Sequence, residues 1–234
     1  MTAKVALIFG YGPRVGAAVA SAFAIRGYKV AVVSRSGNAE AANDYLSIKA
    51  DLSDARNVEG VYAQVKVALG LPSVVVYNAL ILSPQGFEQP LSSVITDAHV
   101  NTFSAYVAAQ LAVKGFADLP SDASKTFIYT GNKLNIMTLE PLLSFGMGKS
   151  ATAHMIHYLA EVYKDSGYKF YYADEREPNG EPAYDKLDAE AHSEYYVKLA
   201  DESGQGPWHA TFVKGKGYVR FDESPVHGGR YPGA

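Results

Sequence analysis

The sequence predicts an α/β fold: one domain with a doubly wound parallel sheet and helices on both faces, in three α/β/α layers. Two observations indicate this class. Six short apolar segments alternate with helical segments along the first three quarters of the chain. Hydrophobic residues make up 48% of the 234 residues and charged residues 19%, so the chain can bury a sizeable core. There is no internal repeat, and the length suits a single domain over residues 1–234.

The first three strands are predicted from short apolar or β-branched runs. Residues 5–9 are apolar throughout and end at a glycine cluster, which is typical of a strand buried on both faces. Residues 29–33 and 46–50 form the next two strands, the latter ending at Asp51. Small and apolar residues at helical spacing predict a helix over 16–26, closed by a glycine C-cap, and a shorter helix over 39–46.

The following elements continue the alternation. Ser53 as an N-cap predicts a helix that runs to about residue 69. The remaining strands of the alternation are expected over residues 73–77, 126–130 and 168–173. Two long helices are expected over residues 92–116, with a face of small alanines, and over residues 145–165.

The composition changes after residue 173. Residues 174–186 are charged and contain prolines and a glycine, which predicts a loop. A helix is expected over 188–201, then two short strands over 208–213 and 218–221 around a Gly-Lys-Gly turn, and an exposed tail. Because long connections beyond a sheet's carboxyl edge are commonly functional, the segment 174–234 is predicted to cover a substrate. A tolerated surface excursion is the alternative.

Composition excludes several classes of function. The net charge is −3 with no basic block, so nucleic acid is not an expected partner. The absence of cysteine excludes disulfides, thiolate metal sites and a cysteine nucleophile. No metal-ligand spacing and no G-x-S-x-G elbow is present, so no metal is expected and a serine hydrolase is disfavoured. Without a membrane-spanning run or a signal peptide, a cytoplasmic protein is expected. The 17 tyrosines have no assigned role at this point.

The glycine-rich segment after the first strand is the strongest local signal. It reads GYGPRVG, and its predicted nucleotide-binding residues are Gly10, Gly12, Arg14, Val15 and Gly16. Backbone N–H groups at the start of the following helix attract phosphate, and glycine lets a pyrophosphate approach closely. The position at the first strand-to-helix turn therefore predicts a Rossmann-type dinucleotide site. A tight turn without a ligand is the alternative, because the spacing G-x-G-x-x-x-G departs from the best-known fingerprint.

The end of the second strand indicates which dinucleotide. NAD sites hold the ribose 2′-hydroxyl with an acid there, whereas NADP sites place a cation there. This strand is followed by Ser34, Arg35 and Ser36, without a carboxylate. Arg35 can present a planar cation to a 2′-phosphate, and Arg14 can add a second. We therefore expect NADP(H) as the cofactor, with two solvated surface arginines as the alternative.

The order of these segments resembles the short-chain dehydrogenase/reductase family over residues 4–173. The resemblance is carried by GYGPRVG, by KADLSD after strand three, by YNAL after strand four, by VNTFSA in the long helix and by FGMGKSA in the next. By this resemblance, Asp51 and Leu52 fall where the family holds the adenine ring. Asn78 and Ala79 match the family's N-A-G turn, with Leu80 in place of the glycine.

The catalytic positions depart from the family pattern. Asn101 matches the asparagine that anchors a relay water, and Lys149 matches the lysine of Y-x-x-x-K, which binds the nicotinamide ribose. Phe145 stands where the family has the tyrosine that donates the proton, and a phenyl ring has no proton to donate. The family's serine falls on Asn132, whose amide can still hydrogen-bond a carbonyl. Thr130 can replace that serine if the loop shifts.

Another proton source is one of the open alternatives. Asp174 follows the sixth strand at the edge where such sheets place their chemistry, and a desolvated carboxyl there can act as an acid. A solvated loop acid is the alternative. Tyr129 is expected to be core.

Two functions follow from these observations. The first is an NADPH-dependent reductase of a carbonyl, imine or activated alkene with an atypical proton donor, acting on a small molecule. The second is an NADP(H)-binding protein without redox turnover, such as a sensor or a cyclase. A homodimer or homotetramer is expected, in which Ala105, Ala108 and Ala112 let helices approach while Met147, Met155 and Ile156 fill the seam. The same alanines facing the chain's own sheet are the alternative.

Overall fold

A computed structural model describes residues 4–37 and 45–222, and the backbone of 226–227. Its strands, in chain order, are β1 Val5–Phe9, β2 Lys29–Ser34, β3 Leu46–Lys49, β4 Val74–Tyr77, β5 Thr126–Thr130, β6 Met137–Thr138, β7 Lys169–Glu175, β8 His209–Val213, β9 Gly217–Tyr218 and β10 Val226–His227. The helices are α1 Val15–Ile25, α2 Arg56–Ala68, α3 Leu91–Ala98, α4 Ser104–Ala117, α5 Leu143–Val162 and α6 Ala189–Asp201. A π-helical stretch, His99–Phe103, joins α3 to α4.

Eight strands form one sheet in the order β3-β2-β1-β4-β5-β7-β8-β9. All neighbours pair in parallel except β9, which returns antiparallel to β8. Strands β6 and β10 form a separate two-stranded pair. The predicted doubly wound parallel sheet is confirmed, and β8, expected as a short strand over 208–213, joins the six strands of the alternation as a seventh parallel strand.

Alternate residues of the strands face two separate apolar cores, because successive side chains of a strand point to opposite faces. Helices α1 and α6 cover one face, where Ile8, Val76 and Phe212 are buried. Helices α2, α4 and α5 cover the other, where Phe9 and Tyr77 are buried. Since both faces are covered, the central strands are apolar along their whole length, which gives the predicted three α/β/α layers.

The strand bounds 5–9 and 126–130 are as predicted, while two helix predictions differ from the structure. Helix α2 begins at Arg56, not after Ser53. The Ser53 N–H instead donates to Asp51 Oδ1 at 2.9 Å, and the Arg56 N–H donates to Asp54 Oδ1 at 3.0 Å. Asp51 and Asp54 thus each accept a hydrogen bond from a backbone N–H two residues later, and these turns occupy the segment where the sequence suggested a helix N-cap. Of the helix expected over 39–46, residues 39–44 lie outside the described part, and β3 begins at 46.

The prediction that Asp174 opens a loop was wrong. Asp174 and Glu175 are the last residues of β7 and are both buried. The charged side chains had suggested a solvent-exposed loop. Each carboxylate instead has a buried partner: Arg176 for Asp174 and His192 for Glu175. The charged connection therefore begins at Arg176, and α6 and β8, which follow it, belong to the helical layer and the sheet.

The alanine face of α4 packs against the chain's own sheet. Ala105, Ala108 and Ala112 are fully buried in the core, and Ile156 is fully buried as well. Met147 is 55% exposed on α5. These alanines and Ile156 are therefore not available to pack against a second chain. The homo-oligomer stays a prediction, and its interface would have to use other residues.

Two further findings concern the part of the chain that the structure describes. None of its helices has the length and apolar character needed to cross a membrane. Within the same residues, no group of three or more His, Asp or Glu side chains is arranged to hold a metal ion.

Candidate active site at the carboxyl edge of the sheet

The strand order reverses between β1 and β4, and the loops after these two strands meet there. Gly10 has φ +83°, and a Cβ at this position would lie 2.3 Å from the backbone nitrogen of Ala79. The Asn78 amide donates to the Gly10 carbonyl at 2.9 Å. Only glycine permits this approach of two backbones. Such a reversal opens a crevice beyond the carboxyl ends of the strands, where α/β sheets bind their ligands.

A cleft of about 570 Å³ lies at this point. Eleven of the twelve predicted cofactor-binding residues line it: Gly10, Gly12, Arg14, Val15, Gly16, Ser34, Arg35, Asp51, Leu52, Asn78 and Ala79. Beyond them the wall is mostly apolar, with Leu80, Ile81, Val100, Leu187 and the two threonines Thr96 and Thr130. The structure therefore joins the glycine turn, the ends of β2 and β3 and the turn after β4 into one surface.

The glycine turn brings the start of α1 close to the cleft. A Cβ on Gly16 would lie 2.6 Å from the Gly10 carbonyl oxygen, so this glycine closes the turn tightly, whereas a Cβ on Gly12 would meet nothing within 4 Å. Arg14 is the N-cap residue of α1, and its Nη2 donates to the Leu187 carbonyl at 2.8 Å. Arg14 thus links the glycine turn to the connection before α6.

The ends of β2 and β3 contribute one cation and one anion. Arg35 is exposed on the cleft wall, and the Ser34 hydroxyl beside it accepts from the Gly37 N–H at 3.1 Å. The hydrogen bond from the Ser53 N–H, supported by the charge of Arg35, holds the pKa of Asp51 below its usual value. A negative group that bound Arg35 would therefore share it with a carboxylate close by.

Lys149 is the predicted cofactor-binding residue that does not line the cleft. It extends from α5, is 2% exposed, and its Nζ donates to the Thr130 carbonyl at 2.7 Å. Burial lowers the pKa of Lys149 from 10.5 to about 7, although the charge of Asp174 opposes this effect. The ammonium lies 4.5 Å from the Tyr129 ring centroid and 5.0 Å from that of Phe145. Thr130, whose carbonyl accepts its hydrogen bond, does line the cleft.

Three tyrosines form a stacked ladder across β4, β5 and β7. Tyr77 pairs in register with Tyr129, and Tyr129 with Tyr172, with ring centroids 5.8 Å apart at each step. The hydroxyl of Tyr77 donates to the Val100 carbonyl at 2.6 Å, and that of Tyr129 to the Asn101 carbonyl at 3.0 Å. Both carbonyls belong to the π-helical stretch, where the regular helical bonding is interrupted.

Asn101 is buried, and its amide pairs with the backbone of Ile81. The Ile81 N–H donates to Asn101 Oδ1 and Asn101 Nδ2 donates to the Ile81 carbonyl, both at 3.0 Å. The Tyr129 hydroxyl lies between the Asn101 carbonyl and the Lys149 ammonium, 3.5 Å from Lys149 Nζ. The Tyr129 hydroxyl thus contacts both Asn101 and Lys149, the two residues that match the family pattern here.

The other predicted catalytic residues are engaged with neighbouring groups. Phe145 is buried in a small apolar cluster with Leu134, Met137, Leu139 and Leu142. Asn132 caps a short helix through Oδ1, which accepts from the Leu134 N–H at 3.1 Å, while its carbonyl accepts from the Tyr172 hydroxyl at 2.7 Å. Asp174 is held by Arg176, whose Nε donates to Asp174 Oδ2 at 2.7 Å. The structure does not place the Asp174 carboxylate on the cleft wall.

A buried carboxylate beside the cleft was not predicted from the sequence. Asp97 precedes the π-helical stretch and is 1% exposed. It accepts hydrogen bonds from Ser144 at 2.6 Å, Gln89 at 2.8 Å and Ser83 at 3.0 Å. These bonds join α3, the connection after β4 and the start of α5. The signal in the sequence was weak, since an acid within a helix is usually exposed.

Sequence reasoning also missed Tyr129 and Leu187. Tyr129 was expected to be core, and it is buried, but its hydroxyl contacts both Lys149 and Asn101. The available signal was the recurrence of tyrosine near the ends of three strands, at Tyr77, Tyr129 and Tyr172. Leu187, in the connection after β7, lines the cleft together with the glycine turn.

Comparisons with known proteins agree with this architecture. The family model described as short chain dehydrogenase matches residues 4–118. A protein named short chain dehydrogenase/reductase dmxR12, from Cryptosporiopsis sp., is 42% identical over 236 residues, covering 94% of this chain and 96% of its own length. A Serratia marcescens short-chain dehydrogenase/reductase structure has a TM-score of 0.72 at 20% identity, covering 91% of this chain and 96% of its own. The structure of a metagenomic short-chain oxidoreductase, solved in complex with NADP, has a TM-score of 0.76 at 16% identity, covering 89% of this chain and 96% of its own.

Proposed function

The chain belongs to the short-chain dehydrogenase/reductase family, and from this premise we propose that it binds NADP(H) and reduces a carbonyl, imine or activated alkene with an atypical proton donor. The observation that carries the proposal is the cleft at the strand reversal, because eleven residues predicted from separate motifs line this one surface. These motifs are distant in the sequence, and the parallel sheet brings them together at the edge where α/β folds bind their ligands.

The glycine turn fits a dinucleotide phosphate group. Side chains at Gly10 and Gly16 would collide with backbone atoms, so the turn is closed tightly against the start of α1. Helix N-termini attract anions through unpaired N–H groups and the helix dipole. Gly12 has open space at the position of a Cβ, which leaves room for a ligand to approach. The residues present therefore fit the cofactor, and Asp51, Leu52, Asn78 and Ala79 would hold its adenosine half.

Arg35 supports NADP(H) over NAD(H). It is an exposed guanidinium at the end of β2, where a 2′-phosphate would lie, and its planar donors suit bidentate phosphate binding. The Asp51 carboxylate is close enough to interact with the positive charge of Arg35. The preference for NADP(H) therefore requires that the 2′-phosphate, with its larger negative charge, binds Arg35 more strongly than Asp51 does. Arg14 is engaged with Leu187, and its role toward phosphate stays a prediction.

When bound, the dinucleotide would supply a hydride to the substrate. The chain's own residues shape the remaining part of the cleft: Leu80, Ile81, Val100 and Leu187 make it apolar and exclude water from the substrate. An apolar wall without a charged side chain favours an uncharged substrate. Leu187 belongs to the connection after β7, so the substrate-covering role predicted for this segment is retained for residues 176–188 as part of the proposal.

Phe145 shapes the chemistry that we propose. It lies one helical turn before Lys149, in the position of the family's proton donor, and carries no hydroxyl. A positioned acid contributes about 10²- to 10⁴-fold to a rate, so a ketone would be reduced slowly here. An imine needs less help, because its nitrogen can arrive protonated. The same observation favours a second function, NADP(H) binding without redox turnover.

Nucleotide titration tests the proposal directly. Binding of NADPH and NADH is followed by fluorescence for the wild type, Arg35→Ala and Arg26→Ala. Arg26→Ala is the control, because Arg26 is an exposed arginine at the C-terminal end of α1, away from the glycine turn. We expect Arg35→Ala to weaken NADPH by about 10- to 100-fold, as for a lost charged hydrogen bond, while NADH and the control change little. Equal losses for both nucleotides would contradict the phosphate role of Arg35. Failure of the wild type to bind either nucleotide would contradict the whole proposal.

Turnover separates the two functions. NADPH oxidation is measured with a panel of ketones, cyclic imines and enones. Oxidation with an imine or an enone supports the reductase. Tight NADPH binding without oxidation of any compound would instead support the function without redox turnover.

A further inference from the structure

Helices α1 and α6 lie side by side on one face of the sheet, run in the same direction and are joined by an arginine at each end. At the N-terminal ends, Arg14 Nη2 donates to the carbonyl of Leu187, the residue before the α6 N-cap, at 2.8 Å. At the C-terminal ends, the Arg26 guanidinium forms an ion pair with Asp201. Of these two contacts the first lies at the cleft, because Arg14 and Leu187 both line it.

The peptide group between Leu187 and Asp188 is held from two sides. Its carbonyl accepts from Arg14, and its N–H donates to Glu175 Oε2 at 2.8 Å. Glu175 is the last residue of β7 and is buried, so the N–H side is fixed to the sheet. The carbonyl side is held by a long, exposed side chain that comes from the glycine turn. The orientation of this part of the cleft wall therefore depends on how well the Arg14 side chain is ordered.

The Arg14 guanidinium has donors left for a second partner. A guanidinium carries five N–H donors in a planar fork, and within the described residues one of them is used. Helix α1 has no acidic residue in its first turn, so its own helix does not offset the charge of Arg14. A phosphate oxygen is the acceptor that such a charged, planar group suits best. Arg14 stands in the glycine turn, where the proposed dinucleotide would bring its phosphates.

A guanidinium shared between two partners makes each partner bind more strongly. An arginine side chain loses much conformational entropy when it is fixed in one position. A phosphate that takes the free donors fixes the guanidinium, and the bond to the Leu187 carbonyl then forms without that entropic loss. The donors lie on separate nitrogens, so a carbonyl and a phosphate can be bound at the same time.

We propose that Arg14 is a positioning residue that couples the nucleotide to the connection after β7: its guanidinium binds a phosphate oxygen of the dinucleotide and the Leu187 carbonyl together. The inference rests on the proposed function, since it requires a dinucleotide on the glycine turn. Leu187 is part of the apolar wall of the cleft, so the nucleotide orders that wall through Arg14. By linkage, an ordered Leu187 strengthens nucleotide binding by the same factor.

Amide hydrogen exchange of residues 183–188 tests this coupling without knowledge of the substrate. Exchange is measured by mass spectrometry without nucleotide, with saturating NADP⁺ and with saturating NAD⁺, for the wild type, Arg14→Ala and Arg14→Lys. Arg26→Ala is the matched control, because it breaks the corresponding contact at the far ends of the same two helices. Nucleotide affinities and melting temperatures are measured for each protein, so that a loss of binding or of folding is recognised separately.

We expect saturating NADP⁺ to slow exchange in this segment by about 5-fold or more in the wild type and in Arg26→Ala, and to leave it unchanged in Arg14→Ala. Arg14→Lys should keep most of the nucleotide affinity through its charge and lose most of the protection, because an ammonium lacks the planar fork. Equal protection by NAD⁺ assigns the phosphate contact to the pyrophosphate, and protection by NADP⁺ alone assigns it to the 2′-phosphate. Either result supports the shared guanidinium.

The inference and the proposed function fail separately. Unchanged exchange in the nucleotide-bound wild type, or equal protection in Arg14→Ala, would overturn the inference alone. Faster exchange on nucleotide binding would also overturn it, because the phosphate would then take the guanidinium away from Leu187. Full protection in Arg14→Lys would contradict the role of the planar fork. A wild type that binds neither nucleotide contradicts the proposed function.

Discussion

Replacing Lys149 by methionine should make the fold more stable and change how its stability depends on pH. The ammonium is buried, and burial lowers its pKa from 10.5 to about 7 against the opposing charge of Asp174. One pKa unit corresponds to about 1.4 kcal/mol, so holding the protonated lysine costs about 5 kcal/mol of folding free energy below pH 7. Methionine fills similar space without a charge, at the loss of the bond to the Thr130 carbonyl.

The sign of the pH dependence follows from the direction of the shift. Between pH 7 and 10.5 the unfolded chain keeps the proton of Lys149, while the folded protein has lost it. The unfolded state therefore binds more protons, and the free energy of unfolding rises with pH by up to about 1.4 kcal/mol per pH unit. Below pH 7 the lysine is protonated in both states, and its full cost remains.

The assay is urea unfolding of the wild type and Lys149→Met at intervals between pH 6.5 and about 9.5. Subtracting the two curves removes the contribution of all other titrating groups. We expect the variant to be more stable by a few kcal/mol at the acid end, with the difference narrowing as pH rises. Lys66→Met, on the exposed face of α2, should run parallel to the wild type. Parallel curves for Lys149→Met as well would refute the argument that burial depresses this pKa.

Three further variants probe the site and its supports. Phe145→Tyr should raise ketone reduction by about 10²- to 10⁴-fold if only the acid is missing, while Phe145→Leu should not; steady-state NADPH oxidation measures both, and equal rates would contradict the assignment. Gly16→Ala places a Cβ 2.6 Å from a backbone oxygen and should lower the melting temperature and abolish nucleotide binding, whereas the melting temperature of Gly12→Ala should be unchanged. Asp97→Ala removes the acceptor of three buried hydrogen bonds and should lower the stability by about 2 kcal/mol or more, measured by urea unfolding. Asp118→Ala, exposed after α4, is its control, and equal stability of the two variants would show that the cluster contributes nothing.

Much of the fold could be predicted because it depends on short-range features. The apolar runs of β1 and β5 were predicted with their bounds, since a strand buried on both faces has few polar residues to blur its ends. Prediction from the local sequence failed where a polar side chain has a buried partner that is contributed by another part of the chain. Asp174 was assigned to a loop because its charge suggested solvent, yet Arg176 and His209 surround it inside the protein.

The candidate site divides in the same way. The residues predicted to bind the nucleotide, except Lys149, lie along one cleft, because glycines at a turn and an arginine after a strand are local signals and the parallel sheet brings strand ends to one edge. The predicted catalytic positions do not line that cleft. Asn132 was favoured by its spacing from Phe145, but its Oδ1 and its carbonyl accept hydrogen bonds from Leu134 and Tyr172, contacts that no local pattern indicates.

The sequence by itself determined the alternation of strands and helices, the glycine turn, and the phenylalanine where a proton donor was expected, because backbone geometry and periodicity are set by neighbours in the chain. The tertiary structure decided the role of the tyrosines, which composition could count but not place. Tyr77, Tyr129 and Tyr172 became a ladder because parallel strands set them in register, and Tyr196 met Thr130 because α6 packs against the sheet. A phenol has both an apolar ring and a hydrogen-bonding hydroxyl, so only the packed neighbours determine which of the two matters at each position.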